Sequence, residues 1–116
     1  MNQFKKTVLQ RQQLYNEYTK IINGLLGLTN KQVLVLSKLF ELNDTTPTNK
    51  PLLNRDNRRE ILESCDIDAC NFSTYLTLFK SKNLLVQEGD RWVIYKGIKP
   101  MVYNNTMEIT FKVNIG

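Results

Sequence analysis

The chain has 116 residues, 41% of them hydrophobic, which fits one domain with one modest core. It carries a formal net charge of +5, no histidine, and two cysteines, Cys65 and Cys70. These values exclude a disulfide framework and histidine-based catalysis or metal binding, make a reducing compartment the expectation, and suit a polyanionic partner.

No apolar run approaches the roughly 20 residues that span a membrane, and no segment reads as a signal peptide. The charge is uneven: residues 1–28 sum to +3, residues 29–53 to +1, residues 54–68 to −2, residues 69–100 to +3, and the rest is neutral.

Residues 3–26 predict a first helix. Phe4, Val8, Tyr15, Tyr18, Ile22 and Leu25 follow a seven-residue pattern, interrupted by Arg11. The stripe either packs on its own domain or forms a dimerisation seam. Gly24 and Gly27 break the pattern. LTNKQV then opens a second helix, with Thr29 as N-cap, Gln32 completing a capping box and Leu28 stapling against Val33. Val33, Leu36, Leu39 and Phe40 supply its apolar face, and it should end near Asn43. DTTPTNKP is a loop, followed by a short strand at Leu52 and Leu53.

Asp56 is expected to cap a third helix that runs to about Ser64. Ile61 and Leu62 face inward, and Arg55, Arg58 and Arg59 cluster at its start. CDID is the turn. Asp68 caps a fourth helix, about Ala69 to Lys82, whose core stripe is Phe72, Leu76 and Phe79 with Tyr75 alongside. After Asn83 the period changes from helical to alternating. LLVQ, EGD and RWVIYK predict a β-hairpin with Gly89 in the turn and Trp92 as a packing anchor. Residues 106–115 alternate, with Met107, Ile109, Phe111, Val113 and Ile115 on one side, and predict a half-buried strand.

The order helix, short strand, helix, turn, helix, hairpin resembles the winged helix-turn-helix. The run REILESCDIDACNFSTYLTLFKSKNLL is similar to the stretch in which that family's second helix ends, a turn follows and the recognition helix leads into the wing. The resemblance implies an α+β fold: a winged helix-turn-helix with a long N-terminal helix, a β-hairpin wing and an extra C-terminal strand. Residues 1–27 would be the amphipathic helix, a candidate dimerisation element, and residues 28–116 the winged helix domain. The long helix ahead of LTNKQVLVL looks like the MarR-like branch of regulators, whose first helix helps to dimerise. That branch closes its dimer with C-terminal helices, whereas this chain's last residues alternate like a strand.

In the resembling fold the helix spanning residues 69–82 lies in the major groove of DNA. With Phe72, Leu76 and Phe79 inward, Asn71, Thr74 and Thr77 point outward, flanked by Ser73 and Lys80. Asn suits adenine, Ser and Thr suit several bases, and Lys80 and Lys82 suit phosphates. Asp90 and Arg91 stand where the resembling regulators carry an Asp and an Arg near the wing tip, so Arg91 is expected to reach a minor groove or a phosphate. Arg55, Arg58 and Arg59 either touch backbone phosphates or pair with Glu60, Glu63 and Asp66 on the helix surface. Leu78 should lie near the outward face, which fits protein contact better.

The expectation is therefore sequence-specific binding of double-stranded DNA by a homodimeric transcriptional regulator of a prokaryote or its virus. The protein would act in the cytoplasm, the host's if phage-encoded, or in a virion. The alternative is a phage virion or assembly adaptor that uses the same fold to bind protein neighbours, with the alternating C-terminal strand adding to another sheet. No cofactor, metal or catalysis is expected. In CDIDAC, Asp68 is better explained as a cap and Cys65 as core, and a zinc site lacks further ligands. Glu60 and Glu63 sit on an ordinary amphipathic helix, and no Gly-rich phosphate loop or nucleophile elbow is present.

Overall fold

A computed structural model describes the backbone of residues 3–98, 101–103 and 106–108, and the side chains of residues 13–98. In chain order these form α1 (Gln3–Leu26), α2 (Asn30–Thr45), α3 (Arg55–Ser64), α4 (Ala69–Ser81), β1 (Leu85–Glu88), β2 (Arg91–Ile94), a 3-10 turn (Lys96–Ile98), β3 (Met101–Tyr103) and β4 (Thr106–Glu108). The class is α+β. Among the described residues no helix is long and apolar enough to cross a membrane.

Helix α1 packs on α2 through Tyr15, Tyr18 and Ile22, all buried. Tyr18 meets Phe40 edge to face at 5.6 Å between centroids. Its hydroxyl donates to the Ile98 carbonyl, tying the helix to the far end of the chain. Over residues 15–22, then, the heptad stripe is covered by the protein's own core. At its end Leu25 is 76% exposed. The side chains of Phe4 and Val8 lie outside the described residues.

Helix α1 runs through Gly24 to Leu26, the end expected for it. A glycine weakens a helix by about 1 kcal/mol without stopping it. The stop comes at Gly27, which takes φ +67, and the Asn23 carboxamide brackets the exit by bonding both the N–H and the carbonyl of Leu28.

The capping box of α2 is present in both directions, and Leu28 and Val33 are both buried. Helix α2 runs two residues past Asn43, because the Thr46 N–H and hydroxyl both bond the Leu42 carbonyl. Leu52 and Leu53 form a turn, not a strand. Their carbonyls accept from side chains of α3, Leu52 from Asn57 Nδ2 (2.8 Å) and Leu53 from Arg58 Nε (2.9 Å), rather than from a neighbouring strand. The cap of α3 is Asn54, whose Oδ1 accepts from the Asn57 N–H at 2.9 Å, and Asp56 sits in the first turn. Asn54 has the advantage that its Nδ2 also closes the preceding turn on Pro51.

Helices α3 and α4 end the same way. The N–H of Ile67 returns to Leu62 and that of Leu84 to Phe79, with Asp66 (φ 52) and Asn83 (φ 60) in the left-handed region between. The turn after α3 is held from outside by Lys31, whose ammonium donates to the carbonyls of Cys65 (2.8 Å) and Asp66 (3.3 Å). Cys65 is core, as expected.

Strands β1 and β2 pair antiparallel around a Gly89–Asp90 turn, with Leu85 opposite Ile94 and Glu88 opposite Arg91. Gly89 has φ +66, which a two-residue hairpin turn requires at that position. Leu84, Leu85 and Ile94 are buried, and Trp92 packs against the core. Strands β3 and β4 form a second hairpin. Of the strand expected over residues 106–115, residues 106–108 are seen as β4. Its partner β3 was not anticipated, and residues 109–115 lie outside the described ones.

Candidate nucleic-acid interface

Helix α4 divides into two faces. Phe72, Leu76 and Phe79 are buried, whereas Asn71, Ser73, Thr74 and Thr77 are exposed. The Asp68 carboxylate caps the helix by accepting the Asn71 N–H at 2.7 Å. The helix itself carries no Asp or Glu. The Asn71 carboxamide makes no hydrogen bond to the described residues. The hydroxyls of Thr74 and Thr77 each donate to the carbonyl four residues back (3.1 Å), which leaves their oxygens as acceptors facing outward.

Leu78 departs from the expected outward position: it is half-buried against the core. It lies in the last turn, where the reversal through Asn83 brings Leu84 back to the helix. The outer face of α4 therefore keeps its polar character over most of its length.

The cations expected around this face fall into two groups. Lys82, Arg55 and Arg59 are exposed. Lys80, Arg58 and Arg91 are held in place. The Lys80 ammonium stands 4.2 Å from the centre of the Trp92 ring. Arg58 donates through Nε to Leu53. Arg91 donates through Nη1 to the Thr48 carbonyl at 3.1 Å and through Nη2 toward Asn49 at 3.5 Å, pinning the hairpin to the loop before α3. The salt-bridged alternative for the arginine cluster is not what forms: Glu60 pairs with Lys38 of α2 at 3.3 Å, and no arginine of α3 has a carboxylate partner among the described residues.

Arg58, Asp90, Arg91 and Trp92 line one open cleft of about 380 Å³ together with Pro51 and Leu53. The sequence gives no sign of this convergence, because the hairpin meets the loop through residues more than 40 positions apart along the chain. Lys31 was missed for the same reason.

Burial pushes the Cys65 thiol up, opposed by its hydrogen bond with Ser64 and by Lys38 and Lys31. Cys70 is exposed. Among the described residues no three His, Cys, Asp or Glu side chains are grouped as metal ligands. Comparisons with protein-family models, with curated proteins and with solved structures found no match.

Proposed function

We propose that the chain binds double-stranded DNA sequence-specifically, as a winged helix-turn-helix regulator whose α4 enters the major groove. The observation that carries this reading is the outward face of α4: four exposed short polar side chains, no carboxylate on the helix, and a buried apolar face behind them. Short side chains allow close approach of the helix backbone to base edges. Asn71 would present both an acceptor and donors to adenine, and Thr74 and Thr77 would accept from exocyclic amino groups. Lys82 would meet a backbone phosphate, which positions the protein without reading sequence.

The order α2, α3, turn, α4, hairpin supports the winged assignment. The pairing strand usual at residues 52–53 in that fold is missing here. Arg91 supplies another link between the hairpin and the same loop.

The test is selection of a preferred duplex from a random pool, followed by salt titration on that duplex and on random DNA. The reading expects a steep fall of affinity with salt on both and a preference for the selected duplex. No binding at low salt would overturn it.

A second reading, an adaptor that contacts protein, draws on a different surface. Ile21, Leu25 and Leu34 are large apolar side chains left exposed on α1 and α2. Sedimentation with Leu25→Ser tests it: an assembly that this variant dissolves supports a protein interface there, and a monomer at high concentration does not.

A further inference from the structure

We propose that the cleft between the start of α3 and the β1–β2 hairpin is a phosphate-binding site. Its ligand would be a backbone phosphodiester of the nucleic acid beside the groove that α4 enters, an assignment that rests on the reading of α4 above. The two guanidinium groups lining the cleft are fixed without being neutralised. Arg58 is held by one bond to Leu53 and Arg91 by bonds to Thr48 and Asn49, all of them neutral carbonyls. Each guanidinium has five N–H donors, so each keeps donors to spare.

Lys80 is a third cation nearby, 4.2 Å from the ring centre of Trp92, which itself lines the cleft. Against these stands one lining carboxylate, Asp90, and none of the three cations has a carboxylate within salt-bridge distance among the described residues. Like charges gathered in this way favour an anion. Fixed guanidinium forks match the oxygens of a phosphate better than they match a chloride ion. The cleft is open, so a phosphate within a long polymer can enter without being engulfed.

Trp92 is the sole tryptophan of the chain, and its emission reports directly on the cleft. The experiment titrates the full chain with inorganic phosphate at ionic strength held constant with chloride. Parallel arms use a mononucleotide and a random duplex of about 20 base pairs, long enough to cover a single-domain footprint. The expected result is a saturable change in emission with phosphate that Arg58→Gln weakens by about tenfold, as loss of one charge-assisted fork should.

Arg91→Lys keeps the charge but loses the fork, and is expected to weaken phosphate binding when measured well below its own melting temperature, since it also gives up part of the bonding to Thr48 and Asn49. Asn71→Ala is expected to leave the phosphate response as it is. A duplex that saturates the same signal at lower concentration than either small ligand supports the backbone as the source. A mononucleotide that outcompetes the duplex overturns that assignment in favour of a free nucleotide. No saturable response to phosphate, or one indifferent to Arg58→Gln, overturns the site itself. A phosphate response with no duplex binding keeps the site and removes the DNA reading of α4.

Discussion

Helices α1 and α4 both show an apolar stripe in sequence, and the fold treats them differently. Along α4 the division is clean: Phe72, Leu76 and Phe79 are buried and the opposite face is short and polar. Along α1 the described part of the stripe is covered at Tyr15, Tyr18 and Ile22, whereas Leu25 at its end is exposed, as is Ile21 beside it. Periodicity reports that a face is apolar, not what will lie against it. A helix flanked on both sides in sequence by core elements, as α4 is by α3 and β1, has its cover supplied. A helix covered along one face, as α1 is by α2, leaves apolar residues off that face available, here Ile21 and Leu25.

This contrast orders the expected effects of substitution. The largest belongs to α4: Phe79→Ala should cost about 3–5 kcal/mol in denaturant-measured stability, because it empties a fully buried aromatic site. Tyr18→Ala on α1 should come close, at about 3 kcal/mol, since it removes a buried ring and the bond to Ile98. A Tyr18 loss below about 1 kcal/mol would mean that α1 is not part of the core, and the contrast would fail.

Lys31→Ala should cost about 1 kcal/mol by unfastening the turn before α4 from α2, as expected for a partly exposed charged hydrogen bond. Leu25→Ser at the exposed end should change stability by less than about 0.5 kcal/mol. An equal loss at Leu25 and Tyr18 would show the end of the stripe to be covered as well.

The cysteines give a sharper local form of the same comparison. Under native conditions at mildly alkaline pH, iodoacetamide should label Cys70, which is exposed, and spare Cys65, which is buried. Burial raises the Cys65 thiol pKa in the folded state. Its contribution to stability is therefore complete below the ordinary thiol pKa and declines as pH rises from that value through the raised one. Equal labelling of both thiols without denaturant would contradict the buried placement of Cys65.

Much of this was legible in the sequence because the signals were local. The capping box at Thr29, the cap at Asp68, the Gly89 turn and the inward stripe of α4 all depend on residues within a few positions of each other. Where reading failed, a long-range or competing contact decided. Asn54 beat Asp56 as cap because it also closes a turn on Pro51. Leu52 and Leu53 look like a strand by composition, but Asn57 and Arg58 take their carbonyls. Leu78 sits outward on a helical projection, but the reversal after α4 folds the chain back near it. In the candidate site, the exposed row from Asn71 to Thr77 was readable, whereas the placement of Lys80 over Trp92 and of Arg91 against the loop was not.

The central claim is that the outer face of α4 reads base edges while the cations around it position the protein. The most direct measurement is a salt titration of wild type, Asn71→Ala and Lys82→Ala on a selected duplex and on a random one. The account predicts that Lys82→Ala weakens both duplexes about equally and lowers the salt slope by about one. It predicts that Asn71→Ala leaves the slope nearly unchanged and costs about 1–3 kcal/mol on the selected duplex alone. Equal loss on both duplexes for Asn71→Ala, or no change for either variant, would contradict it.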